Sequence, residues 1–226
     1  MTSSPHLHAQ LGTHRALFIT TLALPLTGWT LHAAVLTRRL QAARRDPLTG
    51  LLGRDGYTAR ARQLINRHPG DALTLMVDLD DFKKINDGRG HAVGDRVLAV
   101  TAERLTTWAG SDSAVGRLGG DEFALTVRIA PAYQLLRLDH LSALLAEPVT
   151  VPGGASVGIA ASIGAANPNR LGTSDLSALQ RAADTALYEG KHGGRPVLAT
   201  VRHTTAATIN SRRAGRPGAT ATGRAA

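Results

Sequence analysis

Between Ala114 and Arg128 the chain has little choice but to double back on itself. Ala114-Val115-Gly116 leads in, and Phe123 to Arg128 alternates apolar and polar residues with the period of a half-buried strand. Gly119-Gly120 between the two runs supplies the positive-φ positions of a two-residue turn. Asp121 and Glu122 therefore fall at the tip of a rigid ribbon, beside backbone too bare to obstruct a ligand. Taken alone, such carboxylates are ordinary solvated turn residues. The rest of the chain argues for more.

Apolar spacing predicts a helix over Asp55 to His68, with Tyr57, Ala61, Leu64 and Ile65 on one face. Ala72 to Asp80 is apolar enough for a central strand. Three carboxylates, Asp78, Asp80 and Asp81, crowd its C-terminal end, where open sheets bind ligands. Like charges so close cost energy unless a cation offsets them. Oxygen ligands without His or Cys point to Mg²⁺ or Mn²⁺; the competing reading is an exposed acidic strand end. Further helices are predicted over Asp95 to Trp108, Tyr133 to Ala146 and Asp175 to Glu189. Val149 to Val151 and Val157 to Ile163 read as strands around the Pro152-Gly153-Gly154 turn.

The hairpin stretch Arg117-Leu118-Gly119-Gly120-Asp121-Glu122-Phe123 resembles the signature of the GGDEF-domain proteins, the diguanylate cyclases. Other blocks of that family recur in order. Asp46 to Arg54 is similar to its opening Asp-x-Leu-Thr-Gly-Leu-x-Asn-Arg run, with Gly53 where Asn is usual. From Asp78 to Asp95 every fixed position of Asp-x-Asp-x-Phe-Lys-x-Ile-Asn-Asp-x-x-Gly-His-x-x-Gly-Asp is present. Ala161 to Gly164, Ala183 to Tyr188, and Lys191 with Arg195 complete the likeness, with Gly190 and Pro196 off-pattern. The blocks span Asp46 to Val201, about two thirds of the chain.

The resemblance implies an α+β fold: a palm-type, nucleotide-cyclase-like domain with a central, mainly antiparallel sheet flanked by helices. It implies condensation of two GTP into cyclic di-GMP and two pyrophosphates across a head-to-head homodimer. Asp78, Asp121 and the Leu79 carbonyl would hold the divalent metal, Mg²⁺ or Mn²⁺. Asp121 and Glu122 would be catalytic. Asn86, Asp95, Lys83, Gly119, Gly120, Lys191 and Arg195 would bind substrate. An amide and a carboxylate suit a guanine edge, with Asp95 taking its two donors. For His91 the residues favour a structural hydrogen bond. Many family members also carry an Arg-x-x-Asp product site five residues before the first Gly; here Gly110 and Ser113 stand in its place. The alternative is a non-catalytic module that binds GTP or cyclic di-GMP and signals by interaction.

Charge separates the ends from the middle. The net charge is +9, yet all 17 acidic residues lie between Asp46 and Glu189. Ten of the 26 basic residues precede Asp46 or follow Thr200, so the domain itself is close to neutral. With three Phe, two Trp and three Tyr, no stacking platform for nucleic acid is expected, and zero Cys excludes disulfides and thiolate metal sites. Residues 1–15 read as disordered. Residues 16–37 carry no formal charge and would span about 33 Å as a helix, near the roughly 30 Å hydrocarbon core. Arg38, Arg39, Arg44 and Arg45 follow, which predicts an inner-membrane anchor with the domain in the cytoplasm. A soluble helix of a cytoplasmic protein and a signal peptide are the competing readings. Residues 38–45 read as a helical connector, 46–201 as the catalytic domain and 202–226 as a disordered basic tail.

Overall fold

Eight consecutive buried residues, Ala72–Leu79, form the strand β1 around which the domain is built. A strand hidden on both faces needs cover on both, and two separate apolar cores supply it. The computed structural model describes Trp29, His32, residues 45–193 and residues 195–205. Helix α1 (Arg54–Arg67) precedes β1; α2 (Phe82–Arg89) and α3 (His91–Ala109) follow it. The hairpin β2 (Ser113–Gly119) and β3 (Glu122–Arg128) comes next, then α4 (Gln134–Ala146). After these lie β4 (Val149–Thr150), β5 (Ser156–Val157), β6 (Ala161–Ala166), α5 (Pro168–Leu171), α6 (Leu176–Gly193), β7 (Val197–Leu198) and α7 (Arg202–Thr205).

The main sheet runs β2-β3-β1-β6-β7, antiparallel except for the parallel β6–β7 edge, with β4 and β5 as a separate pair. Strand alternation divides the side chains. Leu73, Leu75, Val77 and Leu79 pack with Val97, Leu98, Leu105 and Trp108 of α3 and with Leu138, Leu141 and Leu145 of α4. Ala72 and Met76 face Tyr57, Leu64 and Ile65 of α1 and the small residues Ala182, Ala183 and Ala186 of α6. The expected mixed fold with a mainly antiparallel sheet and flanking helices is what the chain adopts.

Several boundaries move. α2, unforeseen, is one short helix in which only Phe82 is buried, so it lacks the apolar stripe that marks a helix. α3 starts at His91 rather than Asp95. The predicted strand 157–163 divides into β5 and β6. α6 extends past Glu189 to Gly193. The tail is expected from Arg202, yet Arg202–Thr205 is a helical turn whose His203 is buried. Gly53 stands at the N-cap of α1 and, having no side chain, makes no side-chain cap hydrogen bond. Among the described residues no helix is long and apolar enough to cross a membrane. Of the predicted anchor at 16–37 only Trp29 and His32 are described; residues 1–15, the connector at 38–44 and residues 206–226 lie outside the described residues.

Candidate active site

The tip of the hairpin differs from its predicted form. Gly119 pairs with Glu122 and the register shifts between Arg117 and Gly119, so the two turn residues are Gly120 and Asp121. Both glycines take positive φ, 149° and 54°, which a side chain would resist. The bulge moves Asp121 into the turn itself.

Pairing then brings this tip to the end of β1. Asp78 lies directly opposite Glu122, and the Leu79 N–H donates to the Asp121 carbonyl at 3.3 Å. Residues opposite one another on antiparallel strands sit about 5 Å apart. The four residues Asp78, Leu79, Asp121 and Glu122 thus share one locale. Asp78 also follows the alternation that turns its side chain toward α6, and Lys191 near the end of α6 meets it there. The Lys191 ammonium donates to Asp78 Oδ1 at 2.7 Å and lies 3.4 Å from Asp80 Oδ1, which accepts from Ser162 Oγ at 2.8 Å. Partial burial pulls the lysine pKa down, but the hydrogen bond and charge of Asp78, with Asp80 behind it, outweigh this and hold it above the ordinary value.

Of the three acids expected to crowd the strand end, two converge. Asp81 takes the left-handed conformation, φ 54°, at the sharp passage into α2, and its carboxylate pairs instead with Lys84 at 3.0 Å. Among the described residues no group of three or more His, Cys, Asp or Glu side chains could hold a metal ion. The oxygen-only pair Asp78 and Asp80 nevertheless gathers one positive charge already, the ammonium of Lys191, so the donor chemistry fits a hard cation.

Beside this locale opens a cleft of about 730 Å³, lined by Phe82, Lys83, Asn86, Asp87, His91, Gly119, Gly120, Asp121 and Glu122. Predicted substrate residues Lys83, Asn86, Gly119 and Gly120 therefore share a wall with the predicted catalytic pair. His91 corrects its prediction: it is an exposed residue of the cleft mouth. Asp95 is exposed on α3 just past its first turn, outside the lining. It is linked to Asn86 through its neighbour Gly94, where an added Cβ would collide with the Asn86 side-chain oxygen. Arg195 is exposed on the approach to β7 and is not among the lining residues.

Sequence reasoning missed Arg117. Its Nε and Nη2 both donate to the Gly120 carbonyl, at 2.9 and 2.8 Å, and Nη1 donates to both Asp46 oxygens at 3.1 and 3.2 Å. Asp46 in turn accepts from the Thr49 N–H and hydroxyl at 2.8 and 2.7 Å. One guanidinium thereby ties the turn that opens the domain to the turn that carries Asp121. A basic residue two places before the glycine pair was the available signal.

The family described as "Diguanylate cyclase, GGDEF domain" matches residues 43–196. The chain belongs to the GGDEF-domain family. Within it, the chain is 49% identical over 177 residues to an uncharacterized 19.3 kDa protein of Streptomyces ambofaciens, covering 76% of this chain and 94% of that protein. It is 37% identical over 159 residues to the diguanylate cyclase TpbB of Pseudomonas aeruginosa, covering 68% of this chain but only 36% of TpbB. The solved GGDEF domain of TpbB superposes with a TM-score of 0.63 at 34% identity, covering 70% of this chain and 96% of that one. The coiled coil and GGDEF domain of DgcB from Caulobacter crescentus, solved in complex with c-di-GMP, gives a TM-score of 0.65 at 26% identity, covering 79% and 100%. In this GGDEF domain the signature hairpin is complete, and β1 presents its acids to it.

Proposed function

We propose that this domain is a diguanylate cyclase, which joins two GTP into cyclic di-GMP with release of two pyrophosphates. The observation that carries the reading is the register of β1 on β3, which sets Asp78 against Glu122 and Leu79 against Asp121 beside a cleft containing Asn86. The relation to TpbB, a named diguanylate cyclase, supports it.

Each domain would hold one GTP. Asn86 and Asp95 would take the guanine edge, the bare backbone of Gly119 and Gly120 would admit the phosphates, and Lys83, Lys191 and Arg195 would neutralise them. Asp78, Asp121 and the Leu79 carbonyl would hold Mg²⁺ or Mn²⁺, which supplies charge neutralisation at the leaving pyrophosphate and a lower pKa for the attacking hydroxyl. With Asp78 engaged by such a cation, Lys191 would be left for the phosphates. Asp121 would help to remove the 3′-hydroxyl proton, with Glu122 supporting it. Each 3′-hydroxyl attacks the α-phosphorus held by the facing domain, so a homodimer is required. An N-terminal membrane segment over residues 16–37 would raise the local concentration of paired domains.

The full chain incubated with Mg²⁺ and GTP is expected to yield cyclic di-GMP on chromatography, and Asp121→Ala to yield none. GTP binding without product from the unaltered chain would assign a binding module that signals by interaction.

A further inference from the structure

A second group of contacts gathers on the last turns of α6, away from the cleft. Glu189 lies two residues before Lys191. Its Oε2 accepts from Nε2 of His203 at 3.0 Å, and its Oε1 accepts from Arg202 at 3.1 Å. His203 is only 3% exposed although it stands near the end of the described chain. Its Nδ1 accepts from the Thr200 backbone N–H at 2.9 Å, so the ring proton sits on Nε2 and points at Glu189.

The segment that delivers His203 is itself anchored. β7 pairs with β6, and the Ala199 N–H donates to the Ala165 carbonyl at 2.7 Å. At Gly190 an added Cβ would stand 2.7 Å from the Arg195 carbonyl oxygen, so the returning chain passes directly against the helix end. Helix ends fray because their last carbonyls lack partners, and glycine weakens them further. α6 carries Gly190 and Gly193 in this region, yet Lys191 lies between them and must reach Asp78.

We propose that residues 195–203 form a strap that positions Lys191, with His203 acting through Glu189 to hold the end of α6 over Asp78 and Asp80. His203 and Glu189 are positioning residues; neither is among the residues lining the cleft. Gly190, off the family pattern, is the accommodation that lets the strap lie against the helix. The inference deepens the reading of Lys191 as a phosphate ligand, but its first test needs no GTP.

The whole chain contains three lysines, Lys83, Lys84 and Lys191, which makes competitive acetylation with acetic anhydride a direct probe. In the full-length protein Lys191, paired with two carboxylates, should react more slowly than Lys84. His203→Ala and Glu189→Ala should each raise the Lys191 rate at least threefold and leave Lys83 and Lys84 unchanged. Glu189→Gln, which keeps an acceptor for the His203 N–H, should stay near the original rate. The two Ala variants should also raise the KM for GTP severalfold with kcat little changed. Lys191 labelling that stays at the original rate in folded His203→Ala and Glu189→Ala proteins overturns the proposal. Faster labelling in the two Ala variants, when the unaltered chain itself makes no cyclic di-GMP, keeps the strap and removes the cyclase reading.

Discussion

Arg117 satisfies three acceptor atoms with one planar group, and its partners are the Gly120 carbonyl and the Asp46 carboxylate. The pair is mostly shielded, at 13% and 19% side-chain exposure, so removing one partner leaves the other poorly solvated. Arg117→Ala should destabilise the domain by about 1–3 kcal/mol in urea unfolding. Arg117→Lys should recover little, because an ammonium cannot fork across both turns. For Asp46, burial alone would raise the pKa, but the Thr49 hydrogen bonds and Arg117 outweigh it and hold the group below the ordinary 3.8. A carboxylate depressed in the folded state contributes stability that is present above the ordinary value and lost as pH falls through the folded one. The stability gap between the natural protein and Asp46→Asn should therefore be constant from about pH 5 to 7 and shrink on further acidification. Equilibrium unfolding across that range measures it. None of this coupling was visible in the sequence, since Asp46 and Arg117 are 71 residues apart. What was visible was that each belonged to a recognisable block.

At the level of elements, local signals succeeded where they were strong. The hairpin, β1, α1 and α6 were predicted close to their places, because glycine pairs and apolar periodicity act over a few residues. α2 was missed for want of an apolar face, and the start of α3 was misplaced for a related reason. Its first turn holds His91, Ala92, Val93 and Gly94, of which only Gly94 is buried, so no stripe announces it. α6 has a defined start: Asp175 Oδ2 accepts from the Ala178 N–H at 2.9 Å, the geometry of an N-cap. Asp175→Ala should lower stability by about 1 kcal/mol, read as a small fall in the thermal midpoint. α3 and α4 are locked by a reciprocal pair. The Trp108 indole donates to the Arg137 carbonyl at 3.2 Å and Arg137 donates to the Trp108 carbonyl at 2.6 Å, with the guanidinium 4.7 Å from the ring centroid.

At the scale of the whole molecule, the place of the family's Arg-x-x-Asp product site is occupied differently. The Ser113 hydroxyl donates to the Gly110 carbonyl at 2.6 Å, and Asp112, one place off, is paired with Arg128 at 3.1 Å. Cyclic di-GMP added to the assay should therefore leave the initial rate unchanged through residues 110–113. Inhibition that disappears on replacing Ser113 or Asp112 would contradict this. The sequence by itself determined the family, the central strand, the hairpin with its two acids and the neutrality of the domain between basic ends. Those follow from residue types at short, fixed spacings. Only the tertiary structure decided which distant groups meet: Arg117 on Asp46, Lys191 on Asp78 at 113 residues' separation, and His203 on Glu189. Such pairs depend on strand register and on which face a helix turns inward. Both are settled by burial of two cores at once, and no local pattern encodes them.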